Sequence, residues 1–269
     1  MGDRLQLAAG ESRATVDPDR GGRLTSLAVD GLELLRTGDG TNPMAEGCFP
    51  MAPWAGRVRR GRFHHDGTEW RLPIDLPPHA IHGTVYARPW AVEAAGADTV
   101  EMRTGLGASW PFPGWAVQHV RLAPGALHLR LEVHTDGPAF PASCGWHPWW
   151  RRRLERGGPA ELHIEASAMW QRDEEGIPDG TLVPPGRRPW DDCFTDLHCP
   201  PVLRWPGALE LTIDSGAGHL VVFDEPDDAV CVEPQTGPPD ALNLMPAVVT
   251  AGHPLVAEAT IAWRTTTTA

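Results

Sequence analysis

Proline and glycine interrupt this chain almost everywhere, with 28 prolines and 29 glycines spread over most of its 269 residues. Proline removes a backbone donor and breaks helix interiors, and glycine costs a helix about 1 kcal/mol relative to alanine. Long helices are thereby excluded, and short strands joined by turns are what remain. The clearest strand is Leu127-His128-Leu129-Arg130-Leu131-Glu132-Val133-His134, whose strict alternation sends apolar side chains to one face and polar ones to the other. Pro124-Gly125 before it is a turn signal, and residues 116–122 alternate on the far side, so together they predict a hairpin. Further strands are predicted at 13–16, 24–29, 70–72, 161–166, 209–213, 219–223, 230–232 and 255–263. These strands are not interleaved with amphipathic helices, and no Gly-rich nucleotide fingerprint accompanies them, which excludes Rossmann and TIM-barrel architectures. The pattern is that of an all-β sandwich. Residues 176–189 are the richest in Pro and Gly and read as a surface loop, and without a repeat or a linker the chain reads as one domain over 1–269.

Composition narrows the chemistry. Hydrophobic residues make up 41% and charged residues 22%, enough for a substantial core. A formal charge of -12 argues against nucleic acid or an anionic membrane as partner and favours a neutral small molecule. The chain contains no lysine, so Schiff-base chemistry and pyridoxal-phosphate anchoring are excluded. Tyr86 is the single tyrosine, which leaves His, Asp, Glu and Cys to carry titratable chemistry. The five cysteines (Cys48, Cys144, Cys193, Cys199, Cys231) are scattered, odd in number and without a C-x-x-C pair, the pattern of structural thiols in a reducing cytosol. The opening Met1-Gly2-Asp3-Arg4-Leu5-Gln6-Leu7 has no apolar signal core, and no run approaches the ~18 apolar residues of a membrane span. A cytoplasmic location is expected.

Four islands from well-separated parts of the chain combine polar residues with Gly, Pro and Trp: Pro53-Trp54-Ala55-Gly56-Arg57, His79-Ala80-Ile81-His82-Gly83, Gly145-Trp146-His147-Pro148-Trp149-Trp150 and Val232-Glu233-Pro234-Gln235-Thr236. A fifth, Trp190-Asp191-Asp192-Cys193-Phe194, is weaker. Sites on β scaffolds are assembled from such separated segments. Each also has a plain reading: Arg57 as a surface ion pair, His82 as a turn residue before glycine, the tryptophans as core. Glu233 follows the apolar run Ala229-Val230-Cys231-Val232, which places its carboxylate at a strand end, partly buried and with a raised pKa suited to a general base. Twelve tryptophans beside Arg, Asp and His favour a sugar, since an indole suits the C–H face of a pyranose and the polar groups suit its hydroxyls. His79-x-x-His82 and His64-His65-Asp66 have poor ligand spacing for an ion in extended chain, so no metal is expected. Cys144 lacks any mark of a lowered thiol pKa, and Arg151-Arg152-Arg153 reads as a solvated basic edge or a phosphate grip.

In their order these islands resemble the aldose 1-epimerase (galactose mutarotase) family, with the match running from about Gly21 to Asn243. Pro53 to Arg57 resembles the family's Pro-x-x-Asn-Arg, His82-Gly83 its His-Gly, and His147-Pro148-Trp149 its His-Pro-aromatic. Asp191 to Phe194 resembles its Asp-x-x-Phe, Glu233-Pro234-Gln235-Thr236 the segment with its catalytic glutamate, and Gly21-Gly22-Arg23-Leu24 its opening strand turn. The resemblance implies a large antiparallel β-supersandwich and cofactor-free interconversion of the α and β anomers of an aldose. By that likeness Glu233 is the general base, His147 the general acid, and His82 a hydrogen-bonding partner near the reacting carbon, with Arg57 and Asp191 holding hydroxyls and Trp149 shaping the wall. Gly56 stands where the family has Asn, and Trp149-Trp150 where it commonly has Tyr-Phe, both bearing on sugar preference. Asp191 is taken over Asp192 because it keeps the Asp-x-x-Phe spacing. Two alternatives stay open: a hexose-6-phosphate mutarotase, with Arg57 and Arg59 or Arg151 to Arg153 converging on the sixth carbon, and a non-catalytic carbohydrate-binding protein on the same scaffold. Oligomeric state is not readable from the sequence.

Overall fold

The computed structural model describes residues 4–266, so Met1-Gly2-Asp3 of the opening segment lie outside the described residues. The chain is all-β, with two large antiparallel sheets among the described residues, one of eleven strands and one of eight, and three small two-stranded sheets. The single α-helix among them is one turn, Ala241–Leu244, and no helix is long and apolar enough to cross a membrane.

The predicted hairpin is present as Trp115–Ala123 and Ala126–His134, joined at Pro124-Gly125 and buried at every second position. The alternation works because one face packs on the core and the other meets water, which also fixes the register. The hairpin lies in the eight-stranded sheet, paired to the long Leu255–Thr265 strand. Three expectations need correction. Residues 161–166 are not one strand: Glu161–His163 ends in the eight-stranded sheet and Ala166–Arg172 begins in the other, so the chain changes sheet at Ile164-Glu165. The stretch 176–189 is not all loop, because Pro178–Val183 pairs as the edge strand of the eleven-stranded sheet, where prolines and glycines cost least. The predicted strand at 70–72 is Thr68–Arg71.

The centre of the eleven-stranded sheet is formed by Cys48–Met51, Gly145–Arg151, Ala229–Gln235, His219–Phe223 and Asp191–Leu197, adjacent in that order. The first four of these strands are buried on both faces along nearly their whole length, and the last over Asp192 to Phe194. Trp146, Trp150, Val222, Val230, Val232 and Phe194 join the main core shared with the eight-stranded sheet. Phe49, Met51, Trp149 and Cys231 form a second, smaller cluster on the opposite face. A hydrogen-bond chain crosses the main core: Trp146 Nε1 donates to Gln118 Oε1 at 2.9 Å, and Gln118 Nε2 donates to the Gly22 carbonyl at 2.6 Å. Gln118 is fully buried, and these partners are what make an amide tolerable there.

Two glycines are fixed by close backbone approach. A Cβ on Gly145 would lie 2.2 Å from the Pro234 carbonyl oxygen, and one on Gly83 would lie 2.0 Å from that of Ala52, at a φ of +78°. We expect Gly145→Ala and Gly83→Ala each to destabilise the protein by about 2 kcal/mol or more in urea denaturation. Gly216→Ala, where a Cβ meets nothing within 4 Å, should stay within about 0.5 kcal/mol of wild type.

Candidate active site

The register that pairs Gly145 with Gln235 and Trp149 with Cys231 sets His147 directly across from Glu233. Facing residues on adjacent antiparallel strands hold their Cβ atoms about 4.5–5.5 Å apart, so the two side chains meet without any loop to position them. His147 Nε2 lies 3.3 Å from Glu233 Oε1, with both side chains almost fully buried. Glu233 is therefore inside the strand Ala229–Gln235 and not at its end. Its other oxygen, Oε2, accepts a hydrogen bond from Gln235 Nε2 at 3.1 Å.

Both groups form one floor of a cavity of about 290 Å³, near the lower end of the ~300–1,000 Å³ usual for ligand pockets. Gly56, Arg57, Ile81 and His82 form one wall, from the two-stranded sheet that pairs Arg57 with Ile81. Asp191, Cys193 and Arg172 form another, and Met44, Pro178 and Pro239 rim the opening. Every residue expected at the site, Glu233, His147, His82, Arg57, Asp191 and Trp149, lines this one cavity. Asp192 does not; its carboxylate takes the Arg172 Nε–H at 2.7 Å.

The aromatic surroundings are specific. His147 is stacked between Phe49 (ring centroids 4.8 Å, 23°) and Trp149 (5.1 Å, 21°), with His82 edge-on at 4.9 Å. The Arg36 guanidinium lies 3.8 Å over the Trp149 ring, whose Nε1 donates to the Met44 carbonyl. With His147 and Arg36 against it, Trp149 is a side wall of the cavity and not an open platform for a sugar face. His82 has a left-handed backbone, φ +60°, and its N–H donates to the Gly56 carbonyl at 3.0 Å, which turns the ring into the cavity.

Burial governs the protonation of the pair. Desolvation pushes the Glu233 carboxyl well up, helped by the Asp191 charge and opposed by the Gln235 donor and Arg57. Desolvation likewise pushes His147 down to about 3, and holds His82 well below the usual imidazole value, where His147 and Arg57 add to the effect. Burial thus favours a neutral imidazole beside a protonated carboxyl. The thiols are no rivals: burial pushes Cys144 up to about 12 and Cys193 and Cys231 well above the usual thiol range.

Arg57 Nη2 is 3.1 Å from Asp191 Oδ2, and Arg172 Nη1 is 3.5 Å from the same oxygen. The two arginines of the cavity are thus matched by Asp191 and Asp192. Arg151 and Arg152 lie elsewhere: Arg151 Nε donates to the Leu35 carbonyl and Arg152 Nε to that of Pro226. Arg59 pairs with Asp173 and Glu175. Among the described residues, one group brings metal-ligand atoms together, His147, Cys231 and Glu233, all within 4.8 Å. Its thiol is held protonated beneath Trp149. His79 points away from His82, with Nδ1 accepting from the Arg60 N–H. A larger hollow, about 680 Å³, lies on the outer face of the eight-stranded sheet, where Glu101 pairs with His119 and Arg130 with Glu258.

The motif pattern does not mark Phe49 or Arg172, and it includes Gln235 without giving it a role. Phe49 sits in an unremarkable apolar run and Arg172 near a predicted loop. Gln235 is visible only as a neighbour of Glu233.

Fold and cavity together define an antiparallel β-sandwich with a buried His–Glu pair held across two adjacent strands. A family model described as aldose 1-epimerase matches residues 3–240, and the chain belongs to that family. It is 26% identical over 167 residues to the uncharacterized protein YphB of Escherichia coli K12, covering 59% of this chain and 54% of that protein. It is also 26% identical over 185 residues to the uncharacterized protein YihR of the same organism, covering 66% and 59%. The chain thus matches little more than half the length of these relatives. Its fold is that of a galactose mutarotase-like protein from Clostridium acetobutylicum (TM-score 0.88, 16% identity, 98% and 95% of the two chains). Galactose 1-epimerase from Lactobacillus acidophilus NCFM is similar too (TM-score 0.82, 16% identity, 97% and 94%).

A buried carboxyl with a raised pKa leaves a sign in stability. Above the ordinary Glu pKa of ~4.3 the unfolded chain releases this proton while the folded protein keeps it, so folding stability falls as pH rises toward the folded value. Glu233→Gln removes that loss. Thermal melts at pH 5 to 8 should show the variant gaining on wild type with pH, by up to about 1.4 kcal/mol per unit. A constant gap across that range would mean that Glu233 is ionised in the folded protein.

Proposed function

We propose that this protein is an aldose 1-epimerase that interconverts the α and β anomers of a free monosaccharide, with Glu233 and His147 as its proton-transfer pair. The observation that carries the reading is the 3.3 Å approach of His147 Nε2 to Glu233 Oε1 on the floor of a cavity of monosaccharide size. Ring opening moves two protons. The C1 hydroxyl gives its proton to the Glu233 carboxylate as C1–O1 becomes a carbonyl, the bond from C1 to the ring oxygen breaks, and the His147 imidazolium protonates that oxygen. The reacting form arises when the Glu233 proton passes to His147 Nε2 across their 3.3 Å contact, and ring opening restores the neutral acid and neutral imidazole that desolvation favours. Rotation about C1–C2 presents the other carbonyl face, and reclosure returns both protons. The interconversion is redox-neutral and transfers no atoms between molecules, so it calls on no organic cofactor.

His82, held beside His147 by its turned backbone, is placed to hydrogen-bond the sugar near C1. Arg57 and Asp191 are placed for hydroxyls, each offering what its partner does not use. The matching of Arg57 and Arg172 by two aspartates supports a neutral sugar over a 6-phosphate, since no cavity arginine is left without a counter-charge. Chemistry at this level is expected in the cytoplasm, where free aldoses are metabolised.

Polarimetry of freshly dissolved α-D-glucose and α-D-galactose tests this directly. Wild type should hasten equilibration and Glu233→Gln should lose at least about 10²-fold of the rate, with α-D-glucose 6-phosphate turned over more slowly than either free sugar. Acceleration by neither protein, with sugar binding intact, would move the site to the carbohydrate-binding reading. A preference for the 6-phosphate would reassign Arg57 and Arg172.

A further inference from the structure

Gln235 is fully buried, yet only half of its amide is used: Nε2 donates to Glu233 Oε2, while Oε1 has no protein partner among the described residues. An orphaned buried amide oxygen is a desolvation cost that a leucine or methionine of similar volume would avoid. The two residues are neighbours on one face of the Ala229–Gln235 strand, both line the cavity, and Gly145 across the strand pair leaves the backbone close enough to keep them there. His147 meets one carboxyl oxygen of Glu233 and Gln235 the other, so the plane of the carboxyl is fixed from both sides.

We propose that Gln235 is a positioning residue for Glu233 whose amide serves both protonation states, donating from Nε2 to the carboxylate and, turned over, accepting at Oε1 from the acid. An amide carries a donor and an acceptor at nearly identical positions, so a half-turn about its last bond exchanges them without disturbing the packing. The consequence for turnover rests on the epimerase reading, in which Glu233 alternates between carboxylate and acid in every cycle. A fixed donor would serve the carboxylate, and the acid only while its proton sits on the oxygen facing His147; once the proton is on the oxygen facing Gln235 an acceptor is needed there, and an apolar residue offers neither. The Gln235 donor is also a force that draws the Glu233 proton affinity down, against the burial and the Asp191 charge that raise it.

The test uses the full-length protein labelled with ¹³C at glutamate carboxyls and ¹⁵N at glutamine side chains. In wild type, the Glu233 carboxyl and the Gln235 amide should titrate with one midpoint. In Gln235→Leu, loss of a hydrogen bond to a charged group should move the Glu233 midpoint up by about 1–2 pH units. Over the same pH range kcat should fall about 10-fold, its acid limb displaced upward, with KM within about two-fold of wild type. An unmoved Glu233 midpoint in the variant would overturn the proposal even if kcat falls, because packing damage alone does that. A raised KM with kcat unchanged would overturn it too, and make Gln235 a sugar ligand. Should Gln235→Leu fail to fold, separate midpoints for the two groups in wild type would still overturn it, and a common midpoint would uphold it. A wild type that titrates as expected but speeds no mutarotation would leave the positioning intact and remove the epimerase reading instead.

Discussion

Across the strands Gly145–Arg151 and Ala229–Gln235, Trp146, Trp150, Val230 and Val232 face the main core, and the alternate residues His147, Trp149, Glu233 and Gln235 face the cavity. Trp146 and Trp150 on one strand and Val230 and Val232 on the other are nearly inaccessible, and burying each indole is worth on the order of 4–6 kcal/mol. A slip of one residue would exchange the faces, sending His147 and Glu233 into hydrocarbon and the indoles toward the cavity. The energy that fixes the His147–Glu233 geometry therefore comes from side chains that do not line the cavity. Glycine at position 145 is the local condition for this pairing, since any side chain there collides with the Pro234 carbonyl.

The same burial sets the electrostatics. A strand covered on both faces cannot leave a carboxyl and an imidazole well hydrated, so Glu233 is driven to keep its proton and His147 to lose one. Neither shift needs a charged residue designed to cause it. The stacking of His147 between Phe49 and Trp149 excludes water from the ring faces and leaves its edge as the functional part. Arg23, itself buried and hydrogen-bonded to the Tyr86 carbonyl, lies 5.3 Å from the centre of the Phe49 ring and braces this stack from behind.

Much of this was legible in the sequence, for identifiable reasons. The 126–134 strand is readable because one of its faces is wet, which leaves a clean alternation. The central site strands lack that signature. Cys48-Phe49-Pro50-Met51 and Ala229 to Gln235 are buried on both faces, so their residues read as apolar runs or as mixed motifs, and Glu233 looks like a strand-end residue when it is a mid-strand one. The polar islands converge on one cavity because unusual residues beside Gly and Pro mark places where backbone approaches backbone or a ligand. Roles that depend on what lies across a sheet, such as the partners of Arg172 and the guanidinium over Trp149, have no local trace, because the contacts join residues more than a hundred positions apart or separated by an intervening strand. The sheet change at Ile164-Glu165 is invisible for a related reason: extended chain continues through it, and only the pairing partner differs.

The chain from Trp146 through Gln118 to Gly22 ties the floor of the cavity to the far sheet, while much of the rim consists of loop residues such as Asn42, Met44, Gly176 and Pro239. Floor and rim therefore answer to different pressures. A change in the floor must be reconciled with a core that spans the protein, and selection for folding alone would conserve it. A change in the rim alters only which molecule fits. Such an architecture lets descendants drift from one ligand to another while the buried His–Glu pair beneath stays as it was.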